Sequence, residues 1–250
     1  MIKYRSVFLS DIHLGTKMCQ ANHLLDFIKS FESEKIYLIG DIIDCWAMNS
    51  KKYWPREHND VIQKLLRKSR KGTTIIYVPG NHDELMRSYC NAELGNIFLL
   101  TQTIHYGIDN KKYLITHGDQ FDIVIKNAKW ISHIGSWAYD VTIVVNYFIN
   151  KINHFFGFKN WSLSLFLKHK VKEAVNFIGN YEKTLSNYVK SKNMNGIICG
   201  HIHHANISKI DDIVYMNCGD WVESCTALVE HLDGKFEIIK WAEKIDKSDQ

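Results

Sequence analysis

The sequence predicts an α/β domain interrupted by a helical insert. Short apolar runs alternate with helical stretches over the first 117 residues, and the chain beyond Asn195 reads mostly as strands. A long helical apolar face separates the two parts. In order, "YRSVFL" (4–9), "KIYLIG" (35–40), "TTIIYV" (73–78) and "KKYLITH" (111–117) have strand composition, each closed by a polar residue or glycine. Between them, "NHLLDFIKSF" (22–31) and "NDVIQKLLRKS" (59–69) carry helical periodicity. The later strands are "NGIICG" (195–200), "DIVYMNCG" (212–219), "SCTALVEHL" (224–232) and "KFEIIKWA" (235–242). The last two meet at Asp233-Gly234, a hairpin signal.

The middle stretch differs from both flanks. Trp130, Ile134, Trp137, Val141, Val144, Phe148, Ile152 and Phe155 recur at steps of three or four, and Gly157 breaks the run. Residues 161–189 then resume as a second long helix. Polar residues such as Asp140, Asn146 and Lys151 leave no apolar stretch long enough to span a membrane. The reading is one domain over residues 1–250, with a helical-hairpin insert over 123–192. An ordinary helix pair covering a sheet is the plainer alternative.

Composition narrows the class. Hydrophobic residues make up 46% of the chain and only two prolines occur, a globular rather than disordered balance. Six cysteines form no CxxC pair, and Cys45 and Cys199 sit in apolar runs, as small buried hydrophobes in a reducing compartment would. The N-terminus enters a strand without an apolar leader, so the expected location is cytoplasmic. The net charge is +4, yet residues 123–192 hold ten lysines against three acids. The positive charge is therefore concentrated in the insert, which points to a particular anionic partner surface.

Metal-competent side chains follow nearly every expected strand of the domain. They are Asp11 and His13 in "SDIHLG", Asp41 in "GDIID", Asn81, His82 and Asp83 in "GNHDE", and His117 in "THGD". His201, His203 and His204 follow in "GHIHH". Each alone reads as a turn, a cap or a surface histidine, but five such sites at strand ends are hard to assign to capping. Carboxylate, imidazole and amide oxygen without thiolate suit Mn²⁺, Fe or Zn²⁺ in a hydrolytic site. The donors exceed the needs of one ion. Two divalent ions roughly 3.5–4 Å apart would use them, generating hydroxide at neutral pH and clamping the oxygens of an in-line displacement.

In this order, D-x-H, GD-x-x-D, GNHD, H-G-D and GH-x-H resemble the calcineurin-like metallophosphoesterases. The resemblance implies a four-layer α/β/β/α sandwich with two metals at the strand ends. It places one metal on Asp11, His13, Asp41 and His203, and the other on Asp41, Asn81, His117 and His201. Asp41 is then the bridge. It makes His82 the residue that contacts the phosphoryl group and helps protonate the leaving oxygen, with Asp83 orienting it. Asp44 and Asp119 fall in turn or supporting positions, and His204 has no ligand role. On an extended loop, His201 and His203 would project to one side.

The insert would sit as a lid over the metals. Its lysines suit phosphates and its apolar face suits acyl chains, with Lys168, His169 and Lys172 as candidate phosphate contacts. "WAYD", "WSLSLFLKHKVKEAVNFI", "GHIHHA" and "NCGDWVESCTALVEH" resemble a bacterial subgroup beside the UDP-2,3-diacylglucosamine hydrolase branch, which serves lipid A synthesis. That resemblance implies hydrolysis of a lipidated sugar-nucleotide pyrophosphate to UMP and an acylated glucosamine 1-phosphate, with Mn²⁺. The apolar insert itself points to peripheral contact with the inner face of a membrane. The branch's lipid A hydrolases read GNRD where this chain reads GNHD. A nucleotide or nucleic-acid phosphodiesterase is the rival enzyme, but the insert's aromatics fall on one stripe with Ile and Val, so nucleic acid is not expected. A non-catalytic scaffold of the same fold is the third reading, although all seven metal positions are filled.

Overall fold

The computed structural model describes residues 1–50, 52–124 and 163–242. The first expected insert helix and Gly157 lie outside these residues. The chain divides into two compact units, Met1–Gln120 with Leu185–Gln250, and Phe121–Thr184. Every expected metal-competent residue belongs to the first unit.

The first unit contains two sheets. The larger takes β1 (Ile2–Leu9), β2 (Phe31–Ile39), β3 (Thr74–Val78), β4 (Glu93–Leu94), β5 (Ile97–Leu99), β11 (Thr226–Glu230) and β12 (Phe236–Lys240), in the order β12-β11-β1-β2-β3-β5-β4. Strands β1, β2, β3 and β5 run parallel, so their C-terminal ends share one edge. The smaller sheet takes β6 (Thr103–Tyr106), β7 (Lys112–Ile115), β8 (Gly196–Cys199), β9 (Asn206–Ile210) and β10 (Ile213–Asn217), in the order β6-β7-β8-β10-β9. Helices are α1 (Ala21–Ser30), α2 (Cys45–Ser50), α3 (Arg56–Arg70) and α4 (Leu163–Ser191).

Alternation along the strands builds two cores. Val7, Ile36 and Ile75 are in register across β1, β2 and β3 and face Leu24, Phe27, Val61 and Leu65 of α1 and α3. One residue on, Phe8, Tyr37 and Ile76 face the other way, against Tyr113, Ile115, Ile198 and Met216 of the second sheet. The central strands are covered on both faces, which explains their nearly continuous apolar runs. On the far side of the second sheet, Leu114, Ile197 and Tyr215 are also buried and in register. The mixed α/β architecture with two face-to-face sheets is the one expected. The Asp233-Gly234 hairpin joins β11 to β12, with Gly234 at φ 84.

Candidate metal centre

The loops beyond β1 and β2 keep pairing after the strands end, and this fixes their side chains. Asp11 N–H donates to Gly40 O at 3.1 Å, His13 N–H to Asp41 O at 2.8 Å, and Leu14 N–H to Ile42 O at 2.9 Å. The geometry is strained. Asp11, His13, Asp41, His201 and His203 all have φ between 51 and 74, a left-handed conformation costing on the order of 1–3 kcal/mol each outside glycine. Such strain persists only where the surroundings over-determine it, and here five instances meet at one place. Close approach adds to it. A Cβ on Gly40 would lie 2.2 Å from His117 Nδ1, and one on Gly80 2.3 Å from Asp41 Oδ1. Both positions need glycine because ligand-competent side chains lie against their backbone.

Three overlapping groups of potential ligand atoms result: Asp11, His13 and His203; His13, Asp41 and His82; and Asp41, His117 and His201. Within each group the atoms lie within 4.8 Å of one another and could hold a metal ion. His201 and His203 fall in different groups. The loop carrying them is not the extended segment the spacing suggests, since both residues are left-handed. His201 N–H donates to Asp11 Oδ2 at 2.9 Å, which ties the second sheet's loop to the first sheet's. His204 is exposed.

The donors are pre-oriented. His117 Nδ1 lies 2.9 Å from Ile39 O, so a proton sits there and Nε2 is the nitrogen turned toward Asp41 Oδ2, 3.3 Å away. His13 Nδ1 lies 3.0 Å from Asp44 Oδ2, which leaves its Nε2 facing Asp41 at 3.9 Å. Asp11 Oδ1, His13 Nε2, Asn81 Oδ1 and His117 Nε2 are all buried without a well-formed hydrogen bond, although Asp11 Oδ1 and His117 Nε2 lie 3.3 Å from His203 Nε2 and Asp41 Oδ2. Buried polar atoms left unpaired are costly, about 1–3 kcal/mol each. Beside these candidate ligand groups, such atoms fit cations as the missing partner, and the mixed oxygen and nitrogen set fits a divalent metal of the Mn²⁺, Fe or Zn²⁺ kind.

Charge points the same way. Burial would raise the acids, yet the surrounding imidazoles outweigh it and hold Asp11, Asp41 and Asp44 below the usual carboxylate range. Burial would lower His117 and His203, but Asp41 pushes the first up to about 10 and Asp11 the second to about 9. The carboxylates draw positive charge into a buried pocket.

His82 stands at the edge of the cluster. Its backbone N–H donates to Asp41 Oδ1 at 2.8 Å, and its Nδ1 lies 2.9 Å from Asp44 Oδ2. Trp46 of α2 covers the ring at 4.2 Å between centroids. The expectation that Asp83 orients His82 is corrected here. The Asp83 carboxylate turns back to accept backbone N–H groups of Gly80 at 2.6 Å and Ile42 at 2.8 Å, and the Tyr77 hydroxyl. It clamps the loops after β2 and β3 to each other, and Asp44 is the partner of His82. The three-residue step from Asp41 to Asp44 in GD-x-x-D is the signal for it in the sequence. Trp46 and the staple from Asn217 Nδ2 to Gly200 O, 2.7 Å, carried no signal in the sequence. Asp119 accepts two hydrogen bonds from Arg87, at 2.9 and 2.8 Å. Lys172 is exposed on α4, and the side chains of Lys168 and His169 lie outside the described ones.

Residues 4–205 match the calcineurin-like phosphoesterase model, and the chain belongs to that family. Among curated relatives, the UDP-2,3-diacylglucosamine hydrolase of Histophilus somni (strain 129Pt) is 30% identical over 46% of this chain and 49% of its own length. The UDP-2,3-diacylglucosamine hydrolase of Neisseria gonorrhoeae is 31% identical over 46% and 48%. The chain thus spans about half the length of the curated relatives it matches. A solved structure, a predicted phosphoesterase from Streptococcus pneumoniae TIGR4, is 12% identical over 96% of this chain and 90% of that one, with a TM-score of 0.43.

Proposed function

We propose that the chain is a dinuclear-metal phosphohydrolase cleaving the pyrophosphate of UDP-2,3-diacylglucosamine or a similar lipidated sugar nucleotide. The products are UMP and an acylated glucosamine 1-phosphate. The observation that carries the reaction class is the three overlapping ligand groups, two of which share Asp41, with buried atoms of Asp11, His13, Asn81 and His117 lacking a hydrogen bond. The names of the curated relatives support the substrate class, as does the lysine-rich, aromatic composition of residues 123–192.

In this reading Asp11, His13, Asp41 and His203 hold one divalent ion, and Asp41, Asn81, His117 and His201 the other. Bound there, two ions, taken as Mn²⁺, supply a water ionised at neutral pH and positive charge for the phosphoryl oxygens. Asp41 splits its work between its oxygens. Oδ1 accepts the His82 N–H, while Oδ2 is the corner that His13, His82 and His117 face. His82 donates from Nδ1 to Asp44 and keeps Nε2 for the phosphoryl group, where it can hold a proton for the leaving oxygen. Burial would lower the His82 imidazole, but the Asp44 hydrogen bond and Asp41 outweigh it and raise it. Lys168, His169 and Lys172 are the candidate phosphate contacts of the insert. Among the described residues no helix is long and apolar enough to cross a membrane. Contact with a bilayer is proposed as peripheral, through the insert.

The test combines elemental analysis with turnover of UDP-2,3-diacylglucosamine, UDP-N-acetylglucosamine and bis(p-nitrophenyl) phosphate. Two metals per chain and at least tenfold preference for the lipidated substrate are expected. Equal rates with and without acyl chains would remove the substrate assignment and leave the reaction class. Two bound metals with no hydrolysis of any substrate would remove the reaction class.

A further inference from the structure

A second concave site lies at the other edge of the larger sheet, where β1 and β2 begin and α1 and α3 end. This cleft encloses about 1140 Å³. Lys64, Arg67, Lys68, Arg70 and Lys71 line it from α3 and the turn that follows. Lys3 of β1 and Lys29 of α1 complete seven cations, against only Glu32 and Glu34. None of the seven is in a salt bridge among the described residues, where lysine and arginine pair instead at Arg5, Arg56, Arg87 and Lys111.

Cations in the last turn of a helix are ordinarily stabilised by the helix dipole, by about 0.3–1 kcal/mol at the surface. That accounts for basic residues at two helix ends. It does not account for their meeting a basic strand start around one cleft, nor for Lys68. Lys68 is only 8% exposed, its Nζ donates to Phe31 O at 2.5 Å, and it sits 4.2 Å over the Phe31 ring. A buried ammonium without a carboxylate partner is costly. Burial, reinforced by Lys64, pushes its amine down to about 8. Ser33 lines the same cleft, and its buried hydroxyl oxygen has no partner. An unpaired cation and an unpaired hydroxyl in one basic wall are what an incoming anion would satisfy.

We propose that this cleft binds a soluble, multiply charged phosphate anion of diphosphate size or larger, away from the metal centre. Concavity favours a soluble anion over a lipid headgroup, because a flat bilayer surface would not reach Lys68 and Ser33 in the wall. The experiment is calorimetric titration of the full chain with inorganic tripolyphosphate, alongside co-sedimentation with phosphatidylglycerol and phosphatidylcholine vesicles. The Arg67→Glu/Lys71→Glu double variant changes two exposed positions. It should bind tripolyphosphate at least tenfold more weakly, while hydrolysis of bis(p-nitrophenyl) phosphate keeps its rate. Lys68→Met, judged against a folding check by circular dichroism, should weaken binding in the same direction. Wild-type binding should fall as salt rises. Unchanged affinity in the double variant would overturn the proposal, as would absence of tripolyphosphate binding. Phosphatidylglycerol binding that the double variant loses, without tripolyphosphate binding, would make the surface a membrane contact instead. Because the cleft shares no residue with the metal centre, a failure here leaves the phosphohydrolase reading standing.

Discussion

Among the described residues, imidazoles and carboxylates are buried together in two places. At the strand ends, buried ligand atoms of Asp11, His13 and His117 lack a hydrogen bond, and Asp11, His13 and Asp41 have a left-handed backbone. Between the sheets, His105 places Nδ1 3.1 Å from the Tyr37 hydroxyl and Nε2 2.9 Å from Glu230 Oε2. Glu230 in turn accepts two hydrogen bonds from Arg5, at 2.6 and 2.7 Å. His105 and Glu230 are as fully buried as Asp11, but they form a linear run from Tyr37 that ends at a part-exposed arginine. None of the residues in this second cluster has a left-handed backbone. Burial of charge therefore does not by itself mark a metal site. Several candidate ligand groups converging on a strained backbone do.

The comparison is broken most directly at Asp41. Asp41→Ala should abolish turnover and remove both ions, read by elemental analysis, because both ligand sets share this carboxylate. Loss of one ion only would show that the sets are independent. His82→Ala should cost about 10²–10⁴ in turnover, the range for a lost proton donor, with metal content near wild type. Metal loss equal to that of Asp41→Ala would make His82 a ligand. Asp44→Asn should be milder, about 10–100-fold in metal affinity or activity, as for partners that orient ligands. Since Asp44 touches both His13 and His82, its pH–rate profile should shift as well. An unchanged profile would confine Asp44 to the turn it caps through Ala47 N–H, 2.7 Å away.

Which parts were legible follows from how far each signal reaches along the chain. Strands β1, β2, β3 and β7 are apolar because they are sandwiched, and their runs mark them within a few residues. The first turns of β2, "FESE", are polar at the sheet's rim and gave no strand pattern. Strands β4, β5 and β6 have two to four residues and sit at or near sheet edges, too short for a period to show. The long helix expected at 161–189 is observed as Leu163–Ser191, since a strong apolar stripe survives any local ambiguity. In the site, residue type after a strand identified the donors. Side-chain direction was not legible. Asp83 is next to His82 in sequence but bonds backbone across two loops, while Asp44 reaches His82 only through the fold.

The smallest effect is expected at Glu230, and it tests the other half of the comparison. Burial would raise this carboxyl, but hydrogen bonds and charge from His105 and Arg5 outweigh it and hold it below the usual range. A carboxylate depressed in the folded state contributes stability above its unfolded pKa of about 4.3. That contribution is lost as pH falls through the lower folded value. Glu230→Gln should destabilise the protein at neutral pH by about 1–3 kcal/mol, the cost of leaving buried partners poorly satisfied. For a chain of this size, that lowers the melting temperature by on the order of 2–10 °C. The variant should also lose part of the acid-induced fall in stability, because the titrating group is gone. Metal content and turnover should remain at wild-type levels. A melting curve with unchanged acid dependence would show that Glu230 does not carry the linkage. Loss of metal in Glu230→Gln would show instead that the two clusters are coupled through β1, which carries Arg5 and leads directly into Asp11.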